Sequence, residues 1–210
     1  MKQHSIPKGF LSVFLALALL ALFAAPKARA ADITVDVTNG DIVVASNGDV
    51  TENGVSKGTL TASDVLTSTG SNAGGVITVN GFDANIRFDN LTARRMEITG
   101  NASVTIELTG ANTLDASAAG GYAALQGGTG YEDTVASTTR GGLTATGGSG
   151  GAGFGGGDWG DGGTMNISGS ARVTATGGDG GAGIGGGNWG DGGTINISGS
   201  AQITAKGSLN

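Results

Sequence analysis

The sequence predicts an all-β chain, a right-handed parallel β-helix (a solenoid) with about three short strands per coil. Three observations predict it. A thirty-residue segment occurs twice in tandem, "TATGGSGGAGFGGGDWGDGGTMNISGSARV" from Thr144 and "TATGGDGGAGIGGGNWGDGGTINISGSAQI" from Thr174, with twenty-four positions identical. A fixed period of roughly 20–50 residues marks a solenoid or similar array. Apolar and polar residues alternate within each copy, which is the period of a strand. Residues 31–210 contain no proline, the residue that would interrupt a backbone ladder shared between coils.

The six positions that differ assign the faces. Phe154/Ile184, Met165/Ile195 and Val173/Ile203 exchange apolar for apolar, so they face inward. Ser149/Asp179, Asp158/Asn188 and Arg172/Gln202 exchange polar for polar, so they face outward. Each copy then holds three strands, "GAGIG", "TINIS" and "AQITA" in the second, separated by glycine turns. Stacked coils place Ile197 on Ile167, Ile203 on Val173 and Ile184 on Phe154, about 4.8 Å apart. Glycine fills 27 of residues 141–210, supplying positive φ at corners and close backbone approach in "GAGIGGG". Residues 31–140 read as irregular coils of the same kind. Their strands are "ITVDV" (33–37), "VITVN" (76–80), "NIRF" (85–88) and "VTIEL" (104–108). A lap of thirty residues throughout predicts about six coils and a rod of about 29 Å. The expected organisation is one domain over 31–210, irregular over 31–140 and built of glycine-rich thirty-residue repeats over 141–208.

Residues 1–30 are read as a signal peptide. Lys2 and Lys8 precede an apolar run at 10–25, and Ala28-Arg29-Ala30 follows as a small-x-small cleavage site. The run has 16 residues, fewer than the ~20 of a membrane-spanning helix. The expectation is a protein secreted to the medium, the cell surface or the periplasm, with no membrane insertion after cleavage.

Composition excludes several chemistries. Residues 31–210 contain no Cys and no His, and seven Lys/Arg face seventeen Asp/Glu, a net charge of −10. A Ser-His-Asp triad, a Cys nucleophile, a His/Cys zinc site and a disulfide framework are all ruled out for that stretch. An acidic chain is a poor partner for nucleic acid. Carboxylate, Arg/Lys and hydroxyl chemistry remain, together with hard cations such as Ca²⁺.

The runs "VTIELTGANTL" (104–114), "GGLTATGGSGGAGFGGG" (141–157) and "GGDGGAGIGGG…GGTINISGSAQITAKG" (177–207) resemble a known group. They are similar to the bacterial secreted carbohydrate-binding parallel β-helix family, over about residues 100–207. The resemblance implies a polysaccharide-lyase-like fold that binds cellulose or pectin-type polysaccharide without cleaving it, and an association with calcium.

The candidate site is the loop "GGGDWGDGG" (155–163) and its copy "GGGNWGDGG" (185–193). Trp159 and Trp189 are the candidate carbohydrate-binding residues, since an indole packs on the C–H face of a sugar and carries a polar N–H. Asp161 and Asp191 are expected to stack, and like charges directly opposite destabilise a sheet. A bound Ca²⁺ would compensate, with Asp158, Asp179 and Asn188 adding oxygens to Asp161 and Asp191. Arg94-Arg95 is a weaker candidate for an acidic sugar. Arg172 is a poor catalytic base, because Gln202 replaces it in the next copy. Outward Thr144/Thr146 and Thr174/Thr176 predict a short Thr-x-Thr ladder, ended by Lys206.

The expected function is that of a non-catalytic carbohydrate-binding adhesin whose partner is polysaccharide, with end-to-end self-association where a solenoid end stays open. Two alternatives are a calcium-dependent polysaccharide lyase and a structural surface spacer. The spacer requires both tryptophans to pack inward.

Overall fold

The computed structural model describes residues 32–127 and 132–208. The signal-peptide segment, 1–30, and the expected mature N-terminus at Ala31 lie outside them. Among the described residues no helix is long and apolar enough to cross a membrane. The chain is all-β, and its long-range pairing is almost entirely parallel.

Two sheets carry the fold, and neither closes on itself. In the seven-stranded sheet the order is Ile33–Asp36, Val65–Thr69, Ala84–Asp89, Val104–Thr109, Glu132–Ser137, Thr164–Gly169 and Thr194–Ile197. These strands neighbour one another in sequence order, each pair parallel. The second sheet runs from Gln202–Ser208 through Arg172–Asp179, Gly142–Thr146, Ala111–Asp115, Thr92–Thr99 and Ser71–Asn80 to Ile42–Val44. It ends on an antiparallel hairpin, Asp49–Glu52 with Val55–Thr59. The hairpin turn is Asn53-Gly54, with φ of 50° and 75°, the positive-φ pair that a two-residue primed turn demands. Three two-residue strands, Leu125–Gln126, Phe154–Gly155 and Ile184–Gly185, form a short side ladder on the second sheet.

The C-terminal repeats pair as the sequence predicts. Phe154 faces Ile184, Ile167 faces Ile197, and Val173 faces Ile203. The earlier laps do not follow the expected thirty-residue period. Leu66, Ile86 and Ile106 are partners at steps of twenty. The reason lies in Thr92–Thr99, a single long strand. Its first half pairs with Ala111–Asp115 and its second half with Leu125–Gln126. From residue 111 onward the long strand is split by an inserted glycine- and alanine-rich corner, so a third strand appears and the lap lengthens.

The core lies against the inner faces of these strands. Leu66, Ile86, Ile106, Val135 and Ile167 form one column of partners, each at most 1 % exposed. Fully burying a side chain of this size stabilises by about 1.5–3 kcal/mol. Leu125 and Phe154 fill the side ladder and are fully buried. The outer face of the second sheet carries Ser71, Thr92, Thr113, Thr144, Thr174 and Thr204 as successive partners. The threonine column is therefore longer than the repeat alone suggests. At the C-terminal edge Ile195 and Ile197 are 41 % and 56 % exposed.

Candidate functional site

Each tryptophan sits at the third position of a tight turn. The amide of Gly160 donates to the carbonyl of Gly157 at 2.8 Å, and that of Gly190 to Gly187 at 3.0 Å. Trp159 has φ 60° and Trp189 φ 62°. A bulky residue in this left-handed region is a backbone outlier. Neighbouring laps hold the turns in register. The Trp159 amide donates to the Asn188 carbonyl at 2.8 Å, and the Gly187 amide to the Gly160 carbonyl at 2.9 Å. A Cβ at Gly187 would lie 1.9 Å from the Gly157 carbonyl oxygen, so only glycine permits this approach.

The register brings the two indoles together. Their centroids are 5.9 Å apart and their planes 18° apart, an offset stack. They remain 71 % and 76 % exposed. The geometry is a staircase, with one ring stepping onto the next. The rings touch each other and leave most of their surface exposed.

The acids fall into pairs. The Asn188 side-chain amide donates to Asp158 Oδ1 at 3.3 Å, and the Asp191 backbone amide donates to Asp161 Oδ1 at 2.8 Å. The Asp161 carboxylate is thus compensated by a peptide dipole from the next lap. Asp179 ends the strand Arg172–Asp179, and its carbonyl accepts from Gly150. Among the described residues no group of three or more His, Cys, Asp or Glu side chains converges to hold a metal ion.

One aromatic near the loop carried no chemistry in the sequence. Tyr122 is 38 % exposed, and the Arg95 guanidinium lies 4.0 Å from its ring centroid. Arg95 is itself fixed by Glu97 at 3.1 Å. The carbonyl of Gly121, beside Tyr122, accepts the amide of Asp158. This segment therefore adjoins the first tryptophan turn. The only sequence signal was an aromatic in a glycine-rich corner.

No family model, curated protein or solved structure matches this chain. The functional argument rests on the residues themselves. Large apolar side chains that stay exposed in a described region this well packed are few: Val55, Tyr122, Trp159, Trp189, Ile195 and Ile197. Two of the six are tryptophans held on strained backbone, at equivalent positions of adjacent laps. Strain of this kind, roughly 1–3 kcal/mol per residue, clusters at binding and catalytic sites.

Proposed function

We propose that this protein is a non-catalytic carbohydrate-binding adhesin, secreted or held at the cell surface, with its laps wound as a right-handed parallel β-helix. The observation that carries the reading is the exposed, stacked pair Trp159–Trp189 on left-handed backbone. An indole held rigidly loses little conformational freedom when a sugar ring packs on it. The lap spacing of about 4.8 Å is close to the length of one sugar residue. Inward packing of tryptophan, which a bare spacer requires, is at odds with the exposure of both rings.

Calcium enters this proposal as an accessory. Side-chain oxygens of the pair Asp158 and Asn188, or of the pair Asp161 and Asp191, with Asp179 and the glycine-corner carbonyls nearby, would each supply part of an oxygen shell that water completes.

The test is retention of the purified protein on a panel of neutral and acidic polysaccharides, with calcium and with chelator. Binding is expected, and is expected to fall at least tenfold in the Trp159→Ala/Trp189→Ala double variant. No retention on any polysaccharide would overturn the proposal. Equal retention of the double variant would overturn the role of the rings.

A further inference from the structure

The corner after strand Glu132–Ser137 is wider than the one stacked on it. Ser137 is the partner of Gly169, and Gly142 is the partner of Arg172. Four residues, 138–141, thus occupy a corner that the next lap makes with two, Ser170 and Ala171. Ser137 is buried and organises the wide turn. Its hydroxyl donates to the Leu108 carbonyl at 2.9 Å and accepts the amides of Thr139 and Gly141 at 3.2 and 2.7 Å. At the tip, Arg140 adopts φ 62°. Glycine or asparagine would fill that conformation with less strain, so the turn alone does not call for arginine.

Arg140 lines a notch of about 130 Å³ with Ser170, Arg172, Ser200 and Gln202. The notch crosses three laps, since Gly142, Arg172 and Gln202 are successive partners. The ion pairs among the described residues are Lys57–Glu52, Arg87–Glu107 and Arg95–Glu97. None involves Arg140 or Arg172, and no acidic side chain lines the notch. Two arginines therefore line one small notch with no ion-pair partner among the described residues, in a chain whose acids outnumber its bases. Guanidinium forks match the oxygens of a carboxylate or a sulfate in pairs. The hydroxyls of Ser170 and Ser200 and the amide of Gln202 add donors.

We infer that this notch is an oxyanion-binding site, taking a sulfate or carboxylate group between Arg140 and Arg172. The site is separate from the tryptophan turns, and it stands whether or not those turns bind sugar.

The test is a titration of the protein with sodium sulfate and with sodium acetate against sodium chloride at constant ionic strength. The arginine Nε–Hε resonances are followed by NMR. Saturable shifts of Arg140 and Arg172 with sulfate or acetate, absent with chloride, are expected. Sulfated and carboxylated oligosaccharides then separate the sources. Tighter binding than the inorganic ion marks a group carried on a glycan, and equal binding marks a free anion. Arg140→Gly keeps the left-handed turn, and Arg172→Gln copies the residue that the next lap already uses at 202. Each is expected to weaken anion binding about tenfold. A linear drift that chloride reproduces, equal shifts at Arg87 and Arg94, or unchanged binding in both variants would overturn the site.

Discussion

Trp159 stacks on Trp189 with a centroid separation of 5.9 Å, and both residues occupy left-handed backbone. The two facts oppose each other energetically. Left-handed φ costs an L-residue roughly 1–2 kcal/mol, and a stacked aromatic pair returns about 0.5–1.5 kcal/mol. Substituting Trp159 by alanine removes the stack and keeps the strain, whereas glycine removes both. Trp159→Gly is expected to be more stable than Trp159→Ala by about 1 kcal/mol in urea unfolding. The reverse order would mean that the turn does not need positive φ.

Two glycines of the repeat differ sharply in what surrounds them. A Cβ at Gly155, where φ is 132°, would lie 2.0 Å from the Gly185 carbonyl oxygen, whereas one at Gly192 meets nothing within 4 Å. Gly155→Ala is expected to destabilise by about 3 kcal/mol or more, because one lap must lift off the next. Gly192→Ala is expected to stay within about 0.5 kcal/mol. Thermal midpoints of the pair check the contrast.

Phe154 is fully buried, and its partner Ile184 in the next lap is only partly so. Phe154→Ala is expected to cost about 3–5 kcal/mol through lost transfer energy and the cavity left behind. Ile184→Ala is expected to cost clearly less. Denaturant midpoints at a common m-value measure both, and equal losses would contradict the packing gradient.

Asp133 occupies an inward position of its strand and is 2 % exposed. Its Oδ1 has no hydrogen-bond partner among the described residues. Burial pushes its pKa up to about 6, against the backbone amide of Val104, which favours the charged form. The unfolded carboxyl titrates near 3.9, so between about pH 4 and 6 the folded protein holds a proton that the unfolded chain has released. Stability is therefore expected to fall by about 3 kcal/mol as pH rises through that window, then level off. Asp133→Asn is expected to flatten the fall in urea midpoints measured from pH 4 to 8. Glu52 and Asp36 behave oppositely. Burial alone would raise Glu52, but the Asp36 amide, Asn39 and Lys57 hold it below the usual range, and Thr38 does the same for Asp36. Their contributions are lost only as pH drops below about 4, so the two effects separate.

Repetition made the C-terminal third legible. A residue such as Ile167 has a near-identical counterpart thirty positions on, so register could be read by subtraction. The twenty-residue laps around Ile86 repeat no sequence. Their register is set by burial alone, which a linear reading does not show. The hairpin at Asn53-Gly54 has a legible turn pair, but its strand Asp49–Glu52 turns the charged Glu52 inward, which masks the alternation. Asp133 hides because its strand, "EDTVAS", puts polar residues at two of three inward positions, 133 and 137. At the site, the tryptophans were visible as repeated oddities in glycine. The peptide dipole of Asp191 on Asp161, the cation over Tyr122 and the wide corner at Arg140 depend on which lap lies beside which. The thirty-residue step places Asp191 beside Asp161 without showing that a backbone amide meets the carboxylate, and no spacing along the chain encodes the other two neighbours.

The step of thirty between Phe154 and Ile184 also governs how such a chain can change. Between the two copies every strand partner is the equivalent residue, so copying one unit within the coding sequence adds a storey that pairs in the same register. Each added storey would bring another indole to the staircase. Under the proposed sugar-binding role, the number of simultaneous contacts with a long glycan would rise with unit count, and avidity with it.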